Sequence, residues 1–276
     1  MPRGRTKPPG LTPEEIAFAR SLVMFEDDDI LVVDKPPGLS SQGGGRDVHS
    51  LDELLGAFAK SSGSRPRLIH RLDRDTSGVL LTAKTQPSAA FLGKAMMGRR
   101  VRKTYLAVVA PGGLDPREGA VETGLLREDH GRESFVRVAA PEERGAQAAV
   151  TRYRTLAAND AGALVELSPR TGRMHQLRVH MASLGHPIAG DPRYGGAMVV
   201  GGAAAPRLML HAAGLAFPHP AGGERRIEAP VPEDMRGLLA ALGLAIPDRW
   251  NATAPVALDQ QGTPLVWRPP APCPQD

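Results

Sequence analysis

Cysteine is nearly missing from this chain. The single one, Cys273, stands fourth from the end, so neither an intramolecular disulfide framework nor a cysteine-based metal site can be built. That usage fits a reducing cytoplasm. Aromatic residues make up only 4%, so any platform for stacking a base must rest on very few rings. No apolar run approaches the roughly 20 residues needed to cross a bilayer. The start, Met1-Pro2-Arg3-Gly4-Arg5-Thr6-Lys7, is basic but lacks the apolar block of a signal peptide, so it reads as a solvated tail and no membrane partner is expected. No glycine-rich dinucleotide fingerprint follows a strand, and Gly43-Gly44-Gly45 lacks the Lys-Ser/Thr of a phosphate loop. His175 and His180 are five apart, a poor spacing for one metal on a helix, and no His-Glu-x-x-His pattern accompanies them. No Ser-His-Asp nucleophile elbow is visible. The expectation is an activity with no cofactor and no metal.

What is present points elsewhere. The chain has 276 residues, 41% of them hydrophobic, enough for one large domain or two small ones with a packed core. Net charge is +4 and the sequence pI is about 9.5, a balance that permits a polyanionic partner without demanding one. The basic residues cluster: Lys94, Arg99, Arg100, Arg102 and Lys103 form one group, and Arg65, Arg67, Arg71 and Arg74 another. Such a run is commonly just a solvated face.

Thr12-Pro13-Glu14-Glu15 reads as the start of a short helix inside an N-terminal tail. Ile30-Leu31-Val32-Val33 reads as a strand closed by the turn Lys35-Pro36-Pro37-Gly38. Ser50-Leu51-Asp52-Glu53 is a capping box opening a helix with Leu51, Leu54, Leu55 and Phe58 on its apolar face. Further strands are expected over 78–83, 103–110, 133–138, 148–156, 163–167, 207–210, 215–217 and 225–228, and helices over 88–98, 175–184 and 232–242. Strands outnumber helices and short turns join many of them. The expected class is α+β, a mixed, largely antiparallel sheet with flanking helices. The expected division is a tail over 1–27, one catalytic domain over 28–245 and a Pro-rich tail over 246–276.

Three constellations carry chemistry. The first is Leu68-Ile69-His70-Arg71-Leu72-Asp73-Arg74-Asp75-Thr76-Ser77-Gly78, two carboxylates and two arginines in a loop entering a strand. Asp75-Thr76-Ser77-Gly78 would serve simply as a tight turn. Read for function, Asp73 beside cations stays ionised and is available as nucleophile or base. The second is the strand Lys103-Thr104-Tyr105-Leu106-Ala107, holding one of only three tyrosines, which alone would read as a core residue. The third runs from Ser168 to Gly195 and includes Thr171-Gly172-Arg173-Met174-His175-Gln176-Leu177-Arg178-Val179-His180 and Gly190-Asp191-Pro192-Arg193-Tyr194-Gly195. Leu177, Met181 and Leu184 recur there at helical spacing and predict a buried stripe, with Arg178 on another face.

Taken in order, these segments resemble the RluA-type family of RNA pseudouridine synthases. His-Arg-Leu-Asp followed by Thr-Ser-Gly, the Lys-x-Tyr-x-Ala strand and the Thr-Gly-Arg-x-His-Gln-Leu-Arg-x-His block are the family's motifs, and His70 favours this branch over the small-subunit branch, which usually has Gly there. Val33-Asp34-Lys35-Pro36-Pro37-Gly38-Leu39 is similar to the opening motif, with Asp at the usual Asn. Leu210-His211-Ala212 and Phe217-Pro218-His219-Pro220 are similar to the closing ones. The likeness spans roughly 28–240. Residues 1–27 are too few for the S4 RNA-binding domain that many relatives carry.

The resemblance implies that Asp73 is the catalytic residue, that Tyr105 stacks on a flipped uracil and that Arg178 pairs with the catalytic Asp. It implies that Arg71 fills the gap left by the flipped base and that Leu167 lines the uracil pocket. His70, Thr76 and Lys35 complete the expected substrate-binding set. The implied reaction is isomerisation of uridine to pseudouridine in a structured 23S rRNA or tRNA stem-loop, by a cytoplasmic monomer. The competing reading is an RNA-binding or chaperone protein that keeps the fold without needing catalysis.

Overall fold

The structure is a computed structural model describing residues 10–43, 49–61, 63–131, 133–140, 142–248, 250 and 266–267. The basic start and most of the Pro-rich C-terminal segment lie outside the described residues. The chain divides into two compact units, Met1–Arg100 with Phe217–Arg225, and Val101–Ala216 with Arg226–Asp276.

The first unit opens with α1 (Pro13–Ser21), where the Thr12 hydroxyl accepts from the Glu15 N–H and the Glu15 carboxylate accepts from the Thr12 N–H. This reciprocal cap satisfies two orphan donors. Strand β1 (Val23–Glu26) follows, inside the stretch expected to be tail, and pairs antiparallel with β2 (Ile30–Lys35). The turn between them is tied by Asp27, whose Oδ1 accepts from the Asp29 and Ile30 amides. The capping box at Ser50 opens α2 (Leu51–Leu54), but the coil tightens to a 3-10 turn over Leu55–Phe58, which contains Gly56, so the helix is shorter than its apolar pattern suggests. Strands β3 (Arg67–Leu68) and β4 (Ser77–Ala83) precede α3 (Gln86–Met97). β4 pairs antiparallel with β2 over six residues, Ile30 facing Ala83 and Lys35 facing Gly78. Both strands are buried on both faces, so their residues form near-continuous apolar runs without alternation.

The second unit is built on antiparallel strand pairs, several of them between strands distant in sequence. β5 (Arg102–Val109), β6 (Glu118–His130), β7 (Glu133–Ala139), β8 (Gln147–Ala158) and β9 (Ala163–Pro169) pair β5 with β9, β9 with β8, β8 with β6 and β6 with β7. β6 is the longest described strand and is not among those expected: its two glycines and six ionisable residues argue against a strand. Gly124 is needed there, because a Cβ would come 2.7 Å from the Ala139 carbonyl oxygen. Helix α4 (Gln176–Ser183) packs on β7 and β8. A small hairpin, β10 (Val199–Val200) with β11 (Ala203–Ala204), precedes β12 (Leu210–Pro218). The two short strands expected over 207–217 are thus one continuous strand, bulged between His211 and Gly214 where it pairs with β5. β13 (Glu224–Glu228) and α5 (Glu233–Ala241) follow. Two residues of the expected C-terminal tail, β14 (Val266–Trp267), pair in parallel with β6. Every other named strand pairing with a printed register is antiparallel, so the class is the expected α+β, a mixed and largely antiparallel sheet with helices. No helix among the described residues is long and apolar enough to cross a membrane.

Candidate active site

The loop from His70 to Thr76 is held almost entirely through its backbone. β3 is too short to carry it, so the ladder continues past the strand: Ile69 N–H donates to the Leu81 carbonyl at 3.1 Å, and the Leu81 amide then donates to the His70 Nε2, also at 3.1 Å. An acceptor Nε2 assigns the Nδ1–H tautomer to His70. Leu72 is buried, and Ser41 grips its peptide from both sides, donating to the carbonyl at 2.7 Å and accepting from the amide at 3.0 Å. The Thr76 amide donates to the Asp73 carbonyl at 3.2 Å and closes the turn.

Beneath that turn lies Lys35, fully buried. Its ammonium donates to the carbonyls of Pro36, Leu39 and Arg74 at 2.8, 2.9 and 3.0 Å. The Gly38 amide and the Arg74 guanidinium cross-link the same two loops. A buried ammonium is tolerable only when each proton has an acceptor, and three carbonyls meet that need. The outcome is a half-buried Asp73 flanked by exposed Arg71, Arg74 and Asp75, on a backbone with little freedom to move, while Thr76 is buried. The first unit thus gathers His70, Arg71, Asp73, Thr76 and Lys35 on one loop and its support.

In the second unit, pairing register sets a row of side chains. Tyr105 on β5 stands directly opposite Leu167 on β9, and Leu167 directly opposite Tyr153 on β8. Directly paired residues project to the same face, so two tyrosine rings flank one leucine. All three are buried, Leu167 completely. The bulge in β12 lies against Tyr105, since Leu106 pairs with His211 and Thr104 with Gly214. Bulges of this kind re-aim a neighbouring side chain.

Arg178 is placed by α4. Its Nε and Nη2 donate to the two oxygens of Asp191, each at 2.7 Å, and both residues are buried. The fork matches the carboxylate bidentately. Asp191 Oδ1 also accepts from the Arg193 and Tyr194 amides, which fixes the turn. Gly190 allows that turn: its φ is +71°, and a Cβ there would lie 1.7 Å from the Arg207 carbonyl oxygen. The Tyr194 ring stacks under the Arg178 guanidinium at 5.0 Å, and its hydroxyl meets His175 Nδ1 at 2.8 Å while accepting from the Val136 amide at 3.1 Å. Burial pushes the Tyr194 phenol up, so it stays protonated. His175, the N-cap of α4, has φ +52°, a conformation that non-glycine residues seldom adopt.

The same helix is locked to β8. Gln176 Nε2 donates to Val150 O and Thr151 Oγ1, its Oε1 accepts from Thr171 Oγ1 and the Arg173 amide, and both ring nitrogens of His180 meet threonine hydroxyls, Thr151 at 2.9 Å and Thr123 at 3.1 Å. Burial pushes His180 down to about 4. The expected stripe is buried at Leu177 and Met181, but burial runs unbroken from Gln176 through Met181, with polar side chains satisfied inside. Asp191, Tyr194 and Gln176 stand within the sequence motifs with no task of their own there, and Ser41 lies outside those motifs. The nearest signal for Asp191 was the Gly-Asp-x-x-Tyr-Gly spacing.

Comparison with known proteins places this geometry. A model of the family described as RNA pseudouridylate synthase matches residues 29–183. Ribosomal large subunit pseudouridine synthase D of Nitrosomonas europaea is 38% identical over 229 residues, covering 80% of this chain and 64% of the relative, so the chain spans slightly less than two thirds of that protein. Ribosomal large subunit pseudouridine synthase C of Escherichia coli is 37% identical over 235 residues, 83% of this chain and 72% of that one. Among solved structures, human RNA pseudouridylate synthase domain containing 4 superposes with a TM-score of 0.73 at 28% identity, over 85% of this chain and 99% of that one. The motifs, the antiparallel fold and these likenesses agree, and the chain belongs to the RNA pseudouridylate synthase family, in its RluA-type branch.

Proposed function

We propose that this chain isomerises uridine to pseudouridine in ribosomal large subunit RNA, with Asp73 as the catalytic carboxylate. The observation that carries the reading is the Asp73 loop itself. A carboxylate on a backbone pinned by Ser41, His70 and Lys35 is preorganised, and preorganisation is what a reacting group needs. The reaction breaks the uracil N1–ribose bond, turns the base and rejoins it through C5. C5 gives up its proton and N1 gains one, so nothing is oxidised or reduced.

The residues take the following parts. Basic loops hold the phosphate backbone, and the target uridine is flipped out of its stack at a cost of a few kcal/mol. Exposed Arg71 occupies the vacated space. Tyr105 presents its ring to the base, with Leu167 forming the adjoining wall. The family resemblance assigns the Arg178 guanidinium to the catalytic carboxylate. Lys35 and Thr76, being buried, support the loop. The ribosomal target is favoured over tRNA because the relatives carry that name, and the compartment would be the cytoplasm where that RNA is made.

The test pairs Asp73→Asn with the wild-type chain. Wild type releases tritium from RNA labelled at uracil C5, and Asp73→Asn releases none while binding RNA nearly as well. In cells lacking the gene, a map of pseudouridines in total RNA loses a large-subunit site that wild type restores and Asp73→Asn does not. Release by the variant would defeat the assignment of Asp73. Rescue of growth by the variant would favour an RNA-binding role without catalysis.

A further inference from the structure

Lys103 is the one lysine of the second unit, and the proposed chemistry leaves it unused. It lies two residues before Tyr105 on β5, so the two side chains leave the strand on the same face. A methyl group placed on Gly172 would lie 3.8 Å from the Lys103 Nζ, which brings the ammonium against the loop Thr171-Gly172-Arg173. Among the described residues no carboxylate pairs with Lys103, and burial alone lowers its pKa. The unpaired acid–base balance extends along the chain: between Glu166 and Asp191 there is no acidic residue, while Arg170 and Arg173 are exposed.

The loop is rigid. Thr171 Oγ1 accepts from the Val150 amide at 2.9 Å and donates to Gln176 Oε1 at 2.8 Å, and the Arg173 amide donates to the same oxygen at 3.0 Å. Gly172, at its exposed apex, adds no side chain over the ammonium. A desolvated cation with no counter-charge is costly, and a compact ammonium is a natural point-charge partner for a phosphate.

We infer that Lys103 and the Gly172 loop form a binding site for a backbone phosphate of the RNA, beside the face that carries Tyr105. The inference rests on the proposed reaction and extends it, because it assigns a sequence-independent anchor to the residue two positions from the stacking ring. A phosphate there holds the strand while the base enters, and Gly172 keeps the approach open.

The test uses the full chain, a 23S rRNA transcript and potassium chloride from about 50 to 300 mM. Lys103→Met weakens binding about tenfold at low salt and flattens the plot of log affinity against log salt by about one unit, the signature of one lost phosphate contact. Its loss in kcat/KM falls on KM. Lys103→Arg restores most of the slope. Gly172→Val, which leaves the lysine in place and covers it, reproduces the weaker binding, so the inference stays testable if Lys103→Met folds poorly. A folded Lys103→Met with the wild-type slope and KM overturns the inference while wild-type tritium release leaves the reaction standing. No release by the wild-type chain overturns the reaction, and the inference with it.

Discussion

A lysine with no exposed surface is an expensive residue to keep, and Lys35 shows what the expense secures. Its three protons bind carbonyls from the turn after β2 and from the Asp73 loop. Replacing it with methionine keeps the volume and strands three carbonyls. Each unsatisfied group costs about 1–3 kcal/mol, offset in part because no charge is then buried. The expected net loss for Lys35→Met is about 1–3 kcal/mol, read from the urea midpoint. The larger effect falls on turnover: a displacement of about 1 Å in a reacting group can cost roughly a hundredfold. Single-turnover rates should therefore drop far more than RNA affinity, and a rate close to wild type would show that the loop does not depend on this strut.

Helix α4 poses the corresponding question for an element. It carries Arg178 inward and is held at its side by Asp191 on the following turn. Truncating Asp191 to alanine leaves a buried guanidinium without its counter-charge, which costs about 3–5 kcal/mol. Asp191→Ala is expected to lower the unfolding midpoint by that amount and to abolish tritium release, whereas a loss below about 1 kcal/mol would mean that Arg178 is held by other means. Elements also show where sequence is a good guide. The strands expected over 30–33 and 78–83, which run Ile30–Lys35 and Ser77–Ala83 in the structure, were legible because buried strands read as apolar runs. β6 was not, since its glycines and charges answer to neighbours far away in sequence. β12 was read as two pieces because Ala212-Ala213-Gly214 has little strand propensity and holds the bulge. At the site, motif positions exposed Asp73, Tyr105, Leu167 and Arg178 as candidates. The partnership of Arg178 with Asp191 stayed hidden because 13 residues and a turn separate them, and only tertiary packing joins them.

For the molecule as a whole, two buried histidines set a pH limit. Burial pushes His180 and His211 each down to about 4 from 6.5, His211 with help from Arg207. Folding therefore favours their neutral forms. Between pH 6.5 and about 4 the unfolded chain binds protons that the folded chain refuses, so stability is whole above that window and falls as pH drops through it. Each group contributes on the order of 3 kcal/mol across the window. Melting should move downward by many degrees between pH 7.5 and 4.5 at constant ionic strength, and replacing His180 with glutamine should flatten that dependence even if it lowers the pH 7.5 value. A melting temperature indifferent to pH over this range would contradict both burials.

The row Tyr105, Leu167 and Tyr153 has a further consequence. Each belongs to a different strand, and each faces the shared side only because of its odd or even place in that strand. Sliding β9 by one residue would present Glu166 or Ser168 in place of Leu167, exchanging an apolar wall for a carboxylate or a hydroxyl. The chemistry of this face is therefore a matter of parity: over evolutionary time the connecting turns are free to change length by any number, but within β5, β8 and β9 residues can be gained or lost only in pairs, or with a compensating bulge.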